Sequence, residues 1–253
     1  MPTLQPFPES RVSEDDETSD AVSQEALALI NQYRPINAEP YGASDVAIVP
    51  ILVADTLLNH NAERWDRTEI EKMAKLVVGN RFMIDHEWEV EAIHGIIFHA
   101  IAIQIDPTPY LDLAGYGEQN RAIVRAEGGA WGCLASAFLP SNSPLLEAMR
   151  YGVQKVSLGG FRIEHLECPE CGTSYHAQGC AEKGHVPFHP SMKDSSVREM
   201  WNEAGFSIQP YSTYRGLYAS SEVSLVWAGM LPAASIVTEQ MIATLKIPTM
   251  PMG

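Results

Sequence analysis

Apolar positions recur along the chain at two different spacings, and the change between them predicts the order of elements. Ser23 precedes a helical run, Gln24 to Arg34, that Pro35 stops, which predicts a short N-capped helix. Val46-Ala-Ile-Val-Pro-Ile-Leu-Val-Ala54 reads as a strand interrupted by Pro50, and proline inside a strand favours an edge position or a bulge. Thr68-Glu-Ile-Glu71 has the form of a capping box. Ile70, Met73, Ala74 and Val77 then share one helical face, and Gly79 stands where a left-handed residue ends a helix.

After residue 82 the spacing is mostly two. Phe82 to His86 is short and apolar and ends on Asp85-His86. Ile93 to Ile105 alternates, with isoleucines, Gly95 and His99 on one side. Arg121–Ala126 and Cys133–Leu139 read as further strands. Ser143-Pro144 opens a helix over Leu145–Tyr151 that Gly152 closes. Val153–His165, containing Gly159-Gly160, and Leu217–Ala228 complete the strands, and Ser195–Ala204 is a helix with Gly205 after it. The sum predicts an α+β domain, a mostly antiparallel β-barrel flanked by helices.

Composition narrows the function classes. The chain has 253 residues, enough for one large domain, and its 45% hydrophobic content excludes disorder throughout. Thirty-two acidic against 17 basic side chains give a net charge of −15, a field that repels nucleic acid. No apolar run is long enough to span a bilayer, and the first residues lack the basic and apolar regions of a signal peptide. The expectation is a soluble protein with no nucleic-acid or membrane partner. Residues 1–22 read as a disordered acidic arm, 23–246 as the folded domain and 247–253 as a flexible tail.

Three segments carry candidate chemistry. In the first, Gly79–His86, a histidine ends a short strand. In the second, Ala148–Phe161, Val156 and Leu158 point one way and Ser157 the other, with two glycines after it that let a backbone approach closely. In the third, Ser221–Ala234, Glu222 and Ser224 share a face opposite Val223 and Leu225. A serine hydroxyl becomes a nucleophile when a base takes its proton. His86 is a candidate base, with Glu222 or the local Asp85 to orient it.

In this order the segments resemble the prohead (capsid maturation) serine proteases of tailed bacteriophages, relatives of the herpesvirus assemblins. The resemblance lies in Ile84-Asp-His86, in Gly152 with Val156-Ser157-Leu-Gly-Gly-Phe161, and in Glu222-Val-Ser-Leu-Val226 with Pro232-Ala233, and it covers roughly residues 45–240. One departure is the extra Gly160 before Phe161. The resemblance implies an assemblin-like protease fold, Ser157 as nucleophile, His86 as general base and Glu222 as the third member. It also implies cleavage of phage scaffold and major capsid proteins inside the procapsid in the host cytoplasm, self-processing, and self-association as in the assemblins. A catalytically silent assembly or scaffolding protein on the same fold is the alternative.

A second cluster is metal-like. Cys168-Pro-Glu-Cys-Gly172 has the form of a zinc knuckle, and Cys180 and His185 follow at spacings that complete a Cys3His set. His176 competes as the fourth ligand, and a Cys168–Cys171 disulfide or free thiols are the other readings. The expectation is a structural Zn2+ that clips an insertion over residues 167–190. An adaptor that binds a partner through this cluster is a third function class. Cys133, alone in an apolar strand, reads as core.

Overall fold

The apolar strands close on themselves. The computed structural model describes residues 22–86, 93–150, 155–226 and 234–237. Its strands are β1 (Val46–Asp55), β2 (Glu63–Arg64), β3 (Arg81–Ile84), β4 (Ile93–Ile105), β5 (Ala130–Pro140), β6 (Lys155–Gly159), β7 (His165–Glu167), β8 (His185–Val186), β9 (Ser207–Ile208), β10 (Ser212–Arg215), β11 (Glu222–Val226) and β12 (Ser235–Ile236). The helices are α1 (Gln24–Ile30), α2 (Arg67–Leu76), α3 (Gly117–Glu127), α4 (Pro144–Arg150), α5 (Gln178–Ala181) and α6 (Ser195–Glu203). Seven strands form a closed barrel in the order β1-β12-β6-β11-β3-β4-β5, with the small sheets β2-β10-β7 and β8-β9 outside it. Every neighbouring pair of the barrel is antiparallel except β11–β3, which is parallel. The fold is α+β with a mixed barrel.

The barrel interior is the main core. Alternation along β6 and β11 sends Val156, Leu158, Val223 and Leu225 inward to meet Phe82, Ile97 and Ala135, and α2 adds Ile70, Met73 and Ala74 to the same cluster. Burying each such aliphatic or aromatic side chain contributes about 1.5–3 kcal/mol. Cys133 lies in this core as expected, and burial pushes its thiol up to about 12.

Several local expectations need correction. Pro50 marks no edge: β1 pairs with β5 along its length, and its register shift comes later, between Leu52 and Ala54. The Pro50 carbonyl accepts from the Val237 N–H, so its missing donor would also have pointed toward β12, a two-residue strand, and the β5 ladder loses nothing. The single face drawn along β4 is broken by a bulge between Ile97 and His99. Ile97, Ala100 and Ala102 pack in the barrel core, whereas Ile101, Ile103 and Ile105 pack in a second cluster with Leu52 and Leu134.

Arg121–Ala126 lies within helix α3, whose buried positions are Asn120 and Ile123 and which stops at Gly128 with φ +71°. One of the two inward residues is polar, so the helical period is faint in the apolar pattern. The cap of α2 is Asp66, which accepts the Glu69 N–H at 2.9 Å, and Thr68 sits inside the first turn. The strand predicted over Val153–His165 ends at Gly159. Gly160, with φ +58°, turns the chain toward β7 in another sheet. Of the last predicted strand, Leu217–Ala228, the described residues place Glu222–Val226 in β11, and residues 227–228 lie outside them. The acidic arm up to residue 21, Gly152, Pro232-Ala233 and the tail lie outside the described residues.

Candidate functional site

Strands β6 and β11 pair so that Glu222 stands opposite Gly159 and Ser224 opposite Ser157. Opposed residues of an antiparallel pair present their side chains on one face. Ser157, Glu222 and Ser224 therefore share the outer face of the barrel wall, back to back with the core residues Leu158 and Val223. Phe161 anchors the chain beyond Gly160 by packing on Trp65 and Tyr214, with ring centroids 5.4 and 5.6 Å away.

His86 reaches this face through an unusual turn. Just past β3, Asp85 and His86 have φ of +43° and +61°, a left-handed conformation that residues with a Cβ rarely adopt. Two bonds to β11 hold it: the Asp85 N–H donates to the Leu225 carbonyl at 3.0 Å and the His86 N–H to Ser224 Oγ at 3.2 Å. The imidazole folds back so that Nδ1 lies 2.5 Å from Glu222 Oε1. The other carboxylate oxygen accepts the Ser224 hydroxyl at 2.5 Å. Glu222 is buried, contrary to an exposed strand position, while the His86 side chain stays 40% exposed. Asp85 is exposed and joins the turn through its backbone; the carboxylate bonded to His86 is that of Glu222.

Gly159 makes room for the pair. A Cβ there would overlap Glu222 Oε1, and would lie 2.5 Å from Glu222 Cδ and 2.7 Å from His86 Nδ1. The space that the sequence assigns to an approaching substrate is thus filled by the protein's own carboxylate. Ser157 is half-buried, two residues earlier on the same face, about 7 Å along the strand. Chemically, the arrangement is a buried carboxylate orienting a partly exposed imidazole, with a serine on the same face.

The metal-like residues come together in a small lobe outside the barrel, joined to the main core through Leu166. One ligand atom from each of Cys168, Cys171, Cys180 and His185 lies within 4.8 Å of the others, and the four can hold a metal ion. All four cysteines of the chain are free thiols, so no Cys168–Cys171 disulfide competes. His185 Nδ1 is 3.5 Å from Cys168 Sγ and 3.2 Å from Cys171 Sγ, while its Nε2 faces Glu170 Oε2 at 3.5 Å. A carboxylate on the far nitrogen is the usual outer support of a metal-ligating histidine. Burial first, then hydrogen bonds with Cys168 and Cys171, push the Cys180 thiol up to about 12. His176 is exposed and outside the cluster.

No family model, characterised protein or solved structure matches the chain. Among the described residues no helix is long and apolar enough to cross a membrane. Sequence reasoning singled out Ser157, His86, Glu222 and the four metal-cluster residues but gave no role to Ser224 and a different one to Gly159. The available signal was the alternation in Glu222-Val-Ser-Leu-Val226, which already placed Ser224 beside Glu222.

Proposed function

We propose that the protein is a serine endopeptidase of the prohead-maturation type, acting on scaffold and major capsid proteins, and on its own chain, inside the procapsid in the host cytoplasm. The observation that carries this reading is the buried Glu222 bonded to His86 Nδ1 on the same barrel face as Ser157. The motif resemblance of these three segments supports it independently. With the Nδ1 proton held by the carboxylate, Nε2 is the basic nitrogen of the ring. His86 takes the Ser157 proton as Oγ attacks the scissile carbonyl. It then passes that proton to the leaving amine, and the peptide C–N bond breaks to give an acyl-enzyme. Water, deprotonated by the same ring, releases the acid and restores Ser157.

The metal lobe supports a structural Zn2+. Three sulfurs and one nitrogen are a donor set that suits zinc, and four protein ligands leave no open position for chemistry. Cys168, Cys171, Cys180 and His185 would hold the ion and fold the loop around it.

The test is intact-mass analysis after co-expression with the cognate capsid and scaffold proteins, beside a Ser157→Ala copy. Truncations present with the wild type and absent with the variant support the peptidase and map its cleavage sites. Identical masses with a folded, metal-loaded wild type overturn it. Native mass spectrometry tests the metal: one zinc per chain is expected, lost in Cys168→Ser and His185→Ala and kept in His176→Ala.

A further inference from the structure

We propose that Ser224 is a positioning residue whose buried hydroxyl sets the orientation of the His86 ring through both the His86 backbone and the Glu222 carboxylate. The inference rests on the peptidase reading above and deepens it. Two serines face each other across the β6–β11 pair, Ser157 and Ser224, and their surroundings separate their roles. A hydroxyl has one proton to give and lone pairs to accept with. The Ser224 proton goes to Glu222 Oε2, and its oxygen accepts the His86 N–H. Ser224 is fully buried, so no solvent replaces either bond. Its hydroxyl is committed, whereas Ser157 stands half-buried on the same face.

Each of the two bonds fixes a different degree of freedom. The terminal torsion of a glutamate is broad, so a carboxylate held at one oxygen can swing. Ser224 holds Oε2 and thereby turns Oε1 toward His86 Nδ1. The left-handed turn at Asp85-His86 persists only where the surrounding structure over-determines it. Its two N–H groups have two partners on β11, and Ser224 Oγ is one of them. Gly159 lets the carboxylate lie over β6, and Ser224 decides how it lies there.

The experiment labels the histidines of the full chain with nitrogen-15 and reads the imidazole nitrogens by long-range proton–nitrogen correlation, with His86→Gln assigning the signals. In the wild type, Nδ1 is expected to be protonated with a far-downfield proton and Nε2 unprotonated. Ser224→Ala is expected to abolish the downfield proton and mix the tautomers, and Ser224→Thr to restore the wild-type pattern. Against a peptide taken from a mapped cleavage site, Ser224→Ala should lower kcat by at least roughly tenfold with KM nearly unchanged, the mark of lost proton transfer. A folded Ser224→Ala chain with the wild-type tautomer and resonance overturns the proposal, even if it is less stable. Should that variant not fold, Ser224→Cys is read the same way: an upfield shift of the resonance supports the proposal and an unchanged one overturns it. Failure of Ser157-dependent cleavage beside a Ser224-dependent tautomer overturns the peptidase reading and leaves the positioning role standing.

Discussion

Asp55 ends β1 with its carboxyl wholly buried, and burial pushes its pKa up to about 7 against the opposing pull of the Leu57 N–H bond and Arg64. An acid whose folded value lies above its unfolded one stabilises the fold when protonated. Its contribution is therefore present below about pH 4 and is lost as pH rises to about 7. The wild type should lose on the order of a few kcal/mol of unfolding free energy across that interval relative to Asp55→Asn, which keeps the acceptor for Leu57. Denaturant titrations of both chains at stepped pH measure the difference. At Gly159 even one methyl group collides with the Glu222–His86 pair. Gly159→Ala should lower the rate of fluorophosphonate labelling at Ser157 by about a hundredfold, as small misplacements of reacting groups do. The facing of Ser157, Glu222 and Ser224 was legible from period-two alternation. The burial of Glu222 was not, because it depends on a glycine in another strand and a turn in a third.

Helix α2 shows how elements hold the wall in place. Its Glu69 carboxylate is buried and accepts the N–H groups of Gly216 and Leu217 at 3.1 and 2.8 Å, fastening the helix to the segment that leads into β11. Glu69→Ala leaves both donors without a partner and should cost about 2–4 kcal/mol in chemical denaturation. Thr68→Ala, at the residue that the capping-box pattern favoured, should change stability by no more than about 0.5 kcal/mol, because the cap is Asp66. Elements with a strong period, such as α2, β4 and β5, were readable in the sequence. Helix α3 was not, since half of its buried face is Asn120, whose amide serves Leu58 and Leu111. Nor was the bulge of β4, because a one-residue shift leaves the run of isoleucines unbroken on paper.

Across the whole molecule, the barrel and the metal lobe make different demands. The barrel has its own buried core, whereas the cluster around Cys168, Tyr175 and Cys180 is small. Removing the proposed zinc with a chelator should strip hydrogen-exchange protection from residues 165–215 and leave the β4–β5 ladder protected, and Cys168→Ser should do the same without chelator. Exchange followed by mass spectrometry separates the two regions. That a barrel forms was legible from many strands with few helices. Its strand order was not, because β11 lies between β6 and β3, and no local signal specifies pairing over such separations.

The single parallel contact of the wall also has a meaning in time. His86 and Glu222 stand 136 residues apart, and β3, which leads into the His86 turn, meets β11, which carries Glu222, only after the intervening chain has been laid out. During synthesis β3, β4 and β5 can pair as they emerge, since each is antiparallel to the next. The imidazole must wait for its carboxylate until β11 has followed, and the ring of strands closes only when Ser235 and Ile236 join β1 to β6. A nascent chain thus carries Ser157 and His86 before it carries the carboxylate that holds the ring.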